Sequence, residues 1–312
     1  MKLQEAIEQY IKYKRSLGRR YDSTARRLRA FCNAMGDVDV ADIQPDAVKS
    51  FIFGVGPVTT YLHSKNTAVR SLFGYLLSRG YVSQSPLPAE IPKLPRQFIP
   101  HIYTLDELRR ILEAAEKQPQ CCHLETHTFR TLVLLLYGAA LRLSEALRLT
   151  LADIDLDANV LTIRDTKFFK TRWVPISTDL RRALDTYLRI RTERKHPAAP
   201  EAFLLLTSGS QPVSIQLAEL SFKRLREIAG VRRTDKCRYG PRLHDLRHSF
   251  AVHRLIACYR EGGDVGRLLL ALSTFLGHAD LLFTQRYLTL TPELLRLSSD
   301  RFEKYALTGG RS

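Results

Sequence analysis

Three short stretches of the sequence carry groups that can bind and act on a phosphate. Arg142 stands in the otherwise apolar run LLLYGAALRL, and His244 and Arg247 lie three positions apart in LHDLRHSFA. His278 follows a glycine in LGHADL, nine residues before Tyr287. Guanidinium forks hold phosphate oxygens, an imidazole donates or accepts a proton, and a tyrosine hydroxyl attacks once deprotonated. Together these residue types can bind an anion and transfer protons.

Taken singly, each of these residues favours a structural interpretation. Arg142 can pair with Glu145, three residues on, because a buried guanidinium needs an anionic partner. The HDLRH segment can be a helix cap with a solvated histidine, and His278 and Tyr287 can be packed side chains. The chemical interpretation therefore depends on their combination.

Several other chemistries lack their motifs. The chain has no GxxxxGK[ST] phosphate loop, no GxGxxG after a strand and no GxSxG elbow, which argues against ATP-driven work. The DIDLD stretch imitates a calcium loop, but Ala158 stands where that loop needs glycine and Arg164 where it needs glutamate. Neither a cofactor nor a metal is expected from these motifs.

The cysteines are odd in number and scattered, without a CxxC pair, so they predict neither a disulfide framework nor a zinc ribbon. Cys121, Cys122, His123 and His127 form a metal-like cluster in CCHLETH. The Glu of this stretch does not occupy the zincin position. We expect a surface helix end there.

The chain is strongly basic. Its 312 residues include 48 Lys and Arg against 32 Asp and Glu, a formal charge of +16. Such an excess is typical of a polyanionic partner, either nucleic acid or an anionic membrane surface. The longest apolar run, residues 132–141, is about half the length of a membrane-spanning helix, and the N-terminus lacks an apolar signal core. We expect a soluble, unexported, cytoplasmic protein.

A proline-rich stretch predicts the domain boundary. Five of the fourteen prolines fall between residues 86 and 100, where an extended, polyproline-like linker is expected. The predicted organisation is a helical N-terminal domain over residues 1–85, a linker over 86–100 and a second domain over 101–312.

The N-terminal domain is predicted to contain four short helices, because apolar residues recur at helical spacing. Eight basic residues and one acid lie between Lys12 and Arg29. A solvated surface explains part of this density, and phosphate contact explains the rest. The predicted DNA-binding residues are Lys14, Arg15, Arg19, Arg20, Arg26 and Arg27.

The second domain is predicted to be α+β. A capping box, TLDE at residues 104–107, opens a helix. Residues 160–164 and 173–176 read as strands of a small antiparallel sheet. Helices are expected at about 178–194, at 214–229, from His244 onward, and after the Thr291-Pro292 pair.

Five motifs in this order resemble the catalytic domain of the tyrosine recombinases, the phage integrase family. They are ALRLSEAL, the hairpin TKFFKTRWVP, LHDLRHSFA, LGHADL and QRY, and the resemblance covers about residues 99–290. The four-helix domain in front is similar to that family's SAM-like core-binding domain. The resemblance implies a mainly α fold with a small antiparallel sheet, and a site-specific recombinase that cleaves and rejoins DNA through a 3′-phosphotyrosine.

The resemblance also implies roles. Arg142 matches the first catalytic arginine, His244 and Arg247 the HxxR pair, His278 the histidine of LGH, and Tyr287 the nucleophile. The hairpin lysine matches Lys167, with Lys170 as the alternative. Glu145 matches an acid that supports the site. The implied partner is a double-stranded DNA recombination site, bound by a homotetramer across two sites or together with related recombinases, with no cofactor and no membrane.

Two features depart from the family pattern or leave alternatives open. Residues 258–266 are expected to form a loop insertion between helices, because the interval from Arg247 to His278 is long and contains extra glycines. A short N-terminal unit favours a simple two-domain, Xer-like or transposon-encoded type. Residues 291–312 resemble a terminal helix that docks on a neighbouring subunit, or they pack in cis. A type IB topoisomerase-like enzyme and a non-catalytic DNA-binding regulator are the rival functions.

Overall fold

The computed structural model describes residues 1–18, 21–93, 99–117, 124–164, 171–235, 239–278 and 280–307. The chain forms two compact units, with the boundary between them near residue 98. Several residues singled out in the sequence lie outside the described residues, namely Arg19, Arg20, Cys121, Cys122, His123, Lys167 and Lys170.

The N-terminal unit contains the four predicted helices. Their bounds are Leu3–Ser16 (α1), Asp22–Met35 (α2), Pro45–Phe53 (α3) and Thr60–Ser78 (α4). Tyr10, Phe31 and Phe73 are fully buried at the centre of their shared core. A proline is tolerated at the start of α3, because backbone N–H groups in the first turn of a helix have no partner within the helix. The helical spacing of apolar residues thus gives one face per helix, and the four faces meet.

The proline-rich stretch lies along this unit as far as Pro92. Leu87 and Ile91 pack against the N-terminal core. The ring nitrogen Nε2 of His63 lies 3.0 Å from the carbonyl oxygen of Pro92. These contacts hold residues 87–92 to the helices beside them.

The C-terminal unit is mainly helical around a small sheet. Its helices are Leu105–Lys117 (α5), Thr126–Gly138 (α6), Leu143–Ala146 (α7), Thr178–Glu193 (α8), Ile215–Ile228 (α9), Leu243–Arg260 (α10), Val265–Leu276 (α11), Leu282–Gln285 (α12) and Pro292–Leu307 (α13). Its strands are Ile154–Asp155 (β1), Val160–Ile163 (β2) and Arg172–Pro175 (β3), and 3₁₀ turns span Leu151–Asp153 and Arg286–Thr289. The predicted mainly α fold with a small antiparallel sheet is confirmed.

The sheet is antiparallel in the order β1-β2-β3. Leu161 faces Val174 in the register of β2 and β3, and both are buried. In the turn before β2, the Asp155 carboxylate accepts the backbone N–H groups of Asp157 and Ala158. This part of DIDLD therefore acts as a turn, and in the portion of the chain that the structure describes no cluster of His, Cys, Asp or Glu is arranged to hold a metal.

Helix α10 is the central element of the C-terminal unit and packs against α6, α11 and α13. Asp245, which is completely buried, caps its start by accepting the backbone N–H of Arg242 at 2.9 Å. Tyr103 donates its backbone N–H to Ser249 at 2.8 Å, which ties the segment before α5 to the same helix. Within the described ranges, no helix is both long enough and apolar enough to cross a bilayer.

The expected loop insertion at residues 258–266 is wrong in extent. Helix α10 continues to Arg260 and α11 begins at Val265. The Asp264 side chain accepts the backbone N–H of Arg267 at 3.0 Å, which starts the new helix early. The glycines at 262 and 263 fall in the short connection, so the loop is confined to residues 261–264.

Candidate active site

The site begins where α6 ends and α7 starts. Arg142 precedes α7, and its guanidinium donates to Glu145 Oε1 at 2.7 Å and to the carbonyl of Gly277 at 3.1 Å. The Arg142 backbone N–H donates to the other Glu145 oxygen at 2.9 Å. The predicted pairing of Arg142 with Glu145 is confirmed. The guanidinium is nevertheless one-third exposed, so part of its donor set remains open to solvent.

Glu145 also holds a second arginine, Arg172 of β3. The Arg172 guanidinium donates to both carboxylate oxygens, at 3.1 and 2.8 Å. Burial raises the pKa of Glu145, but the bonds from Arg172 and Arg142 outweigh it and lower the pKa to about 2. Glu145 is therefore a carboxylate throughout the neutral range, and it links the hairpin to the start of α7.

Arg247 lies one turn inside α10 and is almost completely buried. It donates to the carbonyl of Ala140 at 2.5 Å and to the carbonyl of Leu276. Glu145 lies 4.0 Å away. Burial first, and then the nearby Arg142, lower the pKa of Arg247 to about 9, so the group still carries its charge at neutral pH. Two carbonyls from separate helix ends thus hold a charged group in a dry position.

Two histidines line the same face of α10, one turn apart. His244 and His248 pack edge to face with ring centroids 4.8 Å apart. Burial, followed by the charges of Arg247 and Arg242, lowers the pKa of His244. Burial, followed by His244, lowers the pKa of His248 to about 4. Both imidazoles are therefore neutral near pH 7.

His278 follows the left-handed Gly277 that ends α11. Its Nδ1 lies 2.8 Å from the hydroxyl of Thr284, which is completely buried. Burial and then Arg247 lower the pKa of His278 to about 4. The His278 ring stacks on the Tyr287 ring with centroids 6.2 Å apart and planes 19° apart.

Tyr287 lies in the 3₁₀ turn after α12 and is 3% exposed. Its hydroxyl is 3.0 Å from Nδ1 of His248. Burial raises the pKa of Tyr287, whereas Arg247 and Arg142 act in the opposite direction. Both guanidinium groups are therefore close enough to stabilise negative charge on the phenol oxygen.

Five of the six predicted catalytic residues thus converge. They are Arg142, His244, Arg247, His278 and Tyr287, and they come from the ends of α6, α10, α11 and α12. The sixth, Lys167, and its alternative Lys170 fall outside the described residues. Strands β2 and β3, which precede and follow these residues in the chain, are paired, and Arg172 of β3 joins the site.

Arg172 was not singled out from the sequence, and His248 was noted only as part of the HDLRH segment, without a role. Arg172 precedes Val174 by two positions, and a strand points such residues to the same face; a basic residue on the buried face of a hairpin was the available signal. His248 follows His244 by four positions, which puts both on one helix face. Neither signal shows what the side chain meets across the fold.

Of the predicted DNA-binding residues, Lys14 and Arg15 lie in α1 and Arg26 and Arg27 in α2, whereas Arg19 and Arg20 fall outside the described residues. Arg26 is exposed, and Lys14 lies over the rings of Tyr10 and Tyr13, 5.2 and 5.3 Å from their centroids. Arg15 donates to Asp22 at 3.0 Å. The charges of this surface are therefore partly engaged within the unit.

Comparison with known proteins decides the family. A sequence model of the phage integrase family matches residues 102–293. The chain belongs to the phage integrase family. The match spans every site residue named above, from Arg142 to Tyr287, so the convergence of these groups belongs to the family domain.

Relatives extend this result to the whole chain. The Sinorhizobium fredii protein y4rB, named as an integrase/recombinase, is 33% identical over 306 residues, 96% of each chain. Tyrosine recombinase XerC of Pseudomonas aeruginosa is 34% identical over 253 residues, covering 79% of this chain and 74% of XerC. The chain is a tyrosine recombinase, as predicted.

A solved structure agrees with the fold. The Tn1549 transposon integrase in complex with a circular intermediate DNA superposes with a TM-score of 0.71 at 15% identity. The match covers 96% of this chain and 99% of that one. The mainly α recombinase fold therefore persists at low sequence identity.

Proposed function

We propose that this recombinase cleaves and rejoins DNA at specific sites with Tyr287 as its nucleophile. The observation that carries the proposal is the position of the Tyr287 hydroxyl, which lies beside His248 and within electrostatic reach of Arg142 and Arg247. A phenol has an ordinary pKa near 10 and attacks poorly while protonated. Burial raises the pKa of Tyr287, and the positive charges of Arg247 and Arg142 oppose this rise, which favours the phenolate that attack requires.

The two arginines suit the charge that develops on the phosphate. When the Tyr287 oxygen bonds to phosphorus, negative charge builds on the non-bridging oxygens, and guanidinium N–H groups stabilise it. Arg142 is bonded to Glu145 and Gly277, and Arg247 to Ala140 and Leu276. Both groups are therefore held before DNA binds, so little reorganisation is needed during the reaction.

The remaining groups move protons. As the new phosphorus–oxygen bond forms, the bond to the 5′ oxygen breaks, and that oxygen takes a proton. Lys167 is the proposed donor, with Lys170 as the alternative. His244 is the proposed base for the phenol proton, and His278 a further donor to the phosphate oxygens. The phosphotyrosine keeps the bond energy of the broken strand, so a 5′ hydroxyl from another strand reverses the step without ATP.

The partner and assembly follow from this reaction. A double-stranded recombination site is the proposed substrate, with the basic residues of α1 and α2 contacting its phosphates. Exchange between two duplexes needs one active site for each of four strands, which favours a homotetramer or an assembly with related recombinases. The Tn1549 transposon integrase, which has a similar fold, was solved in complex with DNA, and this supports the DNA partner. A chromosomal or mobile-element substrate locates the activity at the nucleoid, in the cytoplasm.

The test is to trap the covalent intermediate on nicked DNA that carries the flanking genomic sequence. Cleavage releases a short fragment from such a substrate, so the linked protein accumulates. We expect a protein–DNA band on a denaturing gel, with the linked peptide mapping to Tyr287, and no band for Tyr287→Phe. Binding affinity should stay within about tenfold of wild type, because one hydroxyl is lost from a large phosphate-contacting surface.

Tyr137→Phe is the matched control. Tyr137 also bonds a histidine of α10, since its hydroxyl lies 2.8 Å from Nδ1 of His253. This variant should form the adduct at the wild-type rate. An adduct that persists in Tyr287→Phe would contradict the assignment of the nucleophile.

A further inference from the structure

The hydroxyl of Tyr287 is held by a residue that the reaction above does not use. Among the described residues, the group in hydrogen-bond contact with this hydroxyl is Nδ1 of His248, at 3.0 Å. The two arginines of the site donate their hydrogen bonds to other groups. Arg142 donates to Glu145 and to the carbonyl of Gly277. Arg247 donates to the carbonyls of Ala140 and Leu276. The position of the hydroxyl therefore depends on His248.

The ring of Tyr287 contacts two imidazoles. His278 stacks on it with planes 19° apart, and His248 meets it at 53° with centroids 5.6 Å apart. Stacking fixes the plane of a tyrosine ring but leaves it free to slide, whereas a hydrogen bond at its tip fixes where the oxygen lies. The two histidines thus constrain different motions of the nucleophile.

We propose that His248 is a positioning residue that fixes the Tyr287 hydroxyl at one place in the active site before DNA cleavage. This inference rests on the proposed role of Tyr287 as the nucleophile. His248 acts through Tyr287 and needs no contact with the DNA.

The surroundings of His248 argue against a role as the base. Burial, His244 and then Arg247 and Arg242 all keep its pKa low, at about 4, with Asp245 acting in the opposite direction. A proton taken from the phenol would place an imidazolium beside the guanidinium groups of Arg247 and Arg242, where it is unfavourable. The role that remains for His248 is to orient the Tyr287 hydroxyl. A misplacement of a reacting atom by about 1 Å can lower the rate about a hundredfold.

The same helix supplies a matched control. His253 of α10 also contacts a tyrosine hydroxyl through Nδ1, at 2.8 Å from Tyr137, and both hydrogen bonds are partly buried. Replacing either histidine removes one such bond from α10. Only the first replacement frees the proposed nucleophile.

The experiment compares single-turnover cleavage by wild type, His248→Ala, His248→Asn and His253→Ala on nicked DNA that wild type cleaves. We expect His248→Ala to be about 10- to 100-fold slower while its DNA dissociation constant stays within about threefold. His248→Asn should recover part of the rate, because its amide lies near the position of Nδ1. His253→Ala should cleave at the wild-type rate.

A second substrate separates attack from departure. In DNA with sulfur in place of the bridging 5′ oxygen, the leaving group is a thiolate, which needs no proton. The slow rate of His248→Ala should persist on this DNA, because the defect lies in the attacking group. By contrast, a variant that lacks the proton donor, such as Lys167→Ala, should cleave this DNA faster than it cleaves ordinary DNA.

A third measurement uses no DNA. Protein labelled with ¹³C at the tyrosine ζ carbon gives a Tyr287 signal that is assigned by its loss in Tyr287→Phe. His248→Ala should shift this signal and His253→Ala should leave it in place. An unshifted signal in His248→Ala overturns the inference even if the cleavage rate falls.

Other outcomes also decide. Cleavage by His248→Ala within twofold of wild type overturns the inference, and so do equal losses in His248→Ala, His248→Asn and His253→Ala, which would mean that α10 is merely damaged. A wild-type protein that forms no adduct on any flanking DNA contradicts the proposed function itself. The two failures can be told apart, because normal cleavage by the His248 variants contradicts only the role of His248.

Discussion

At the scale of single residues, Glu145 compensates the charge of three arginines. Arg142 and Arg172 bond to its carboxylate, and Arg247 lies 4.0 Å away. Its pKa of about 2 lies below the ordinary 4.5. A carboxyl group with a depressed pKa stabilises the fold above its unfolded pKa and loses that contribution as the pH falls through the folded value. The sensitive window therefore runs from about pH 4.5 down to about pH 2.

We predict that Glu145→Gln destabilises the protein at pH 7 by about 3 kcal/mol, the free-energy equivalent of this pKa shift. The difference from wild type should shrink as the pH is lowered through the window, because the wild-type carboxylate is then neutralised as well. Urea unfolding at pH 7 and near pH 3 measures it. The control is Glu116→Gln, which removes an exposed pair with Arg130 and should cost less than about 1 kcal/mol.

The residue pairs show where sequence reasoning stops. The bond of Arg142 to Glu145 is local, three positions along the chain, and the sequence predicted it. The bond of Arg172 to Glu145 joins residues 27 apart and depends on how the hairpin lies against α7. The same is true of His248 and Tyr287, which are 39 residues apart. Local spacing predicts which face a side chain lies on, and the packing of separate elements decides its partner.

At the scale of elements, the turn that ends α11 positions three residues of the site. Gly277 has a φ of +62°, and a β-carbon there would lie 3.1 Å from an Arg172 nitrogen. Its carbonyl accepts from Arg142, and its neighbour is His278. A side chain at this position would therefore push directly on the network of Glu145.

We predict that Gly277→Ala slows single-turnover cleavage at least tenfold and lowers stability by about 1–2 kcal/mol, since the left-handed conformation alone costs an alanine about 1 kcal/mol. Gly262→Ala is the control, with a φ of +72° and nothing within 4 Å of the added carbon. It should lose similar stability without the loss of rate. Equal cleavage by the two alanine variants would show that Gly277 has no role beyond the turn.

Helices and strands were predicted better than their connections. The capping box at residues 104–107 is present, with the Glu107 N–H donating to Thr104 at 3.1 Å, because both partners lie in one helical turn. The 258–266 segment was taken as a loop because its glycines suggested one. In the structure α10 continues to Arg260 and α11 begins at Val265, so the loop in this segment is confined to the residues between them.

At the scale of the whole molecule, the charge of +16 should appear in the salt dependence of DNA binding. Each phosphate contact that is lost makes the slope of log affinity against log salt shallower by about 0.9. We predict a shallower slope when Arg19, Arg20, Arg26 and Arg27 are replaced by glutamine. Fluorescence anisotropy at several salt concentrations measures it.

The control for the salt prediction is a double variant, Arg29→Gln with Glu8→Gln. These residues form a two-bond pair, at 2.9 and 3.2 Å, and the double replacement leaves the net charge unchanged. Its slope should equal that of wild type. If the fourfold variant also keeps the wild-type slope, the four replaced arginines do not contact phosphates.

The carbonyls that hold Arg247 have a consequence for how this protein can change over evolutionary time. Backbone oxygens are present whatever side chain stands at positions 140 and 276, so no single substitution at either position deletes the acceptor itself. The hydrogen bonds that hold the Arg247 guanidinium are thus insensitive to side-chain substitutions at these two positions, provided that the backbone at the helix ends keeps its path. Selection acts on the arginine and on the shape of the chain, which leaves the neighbouring sequence freer to diverge.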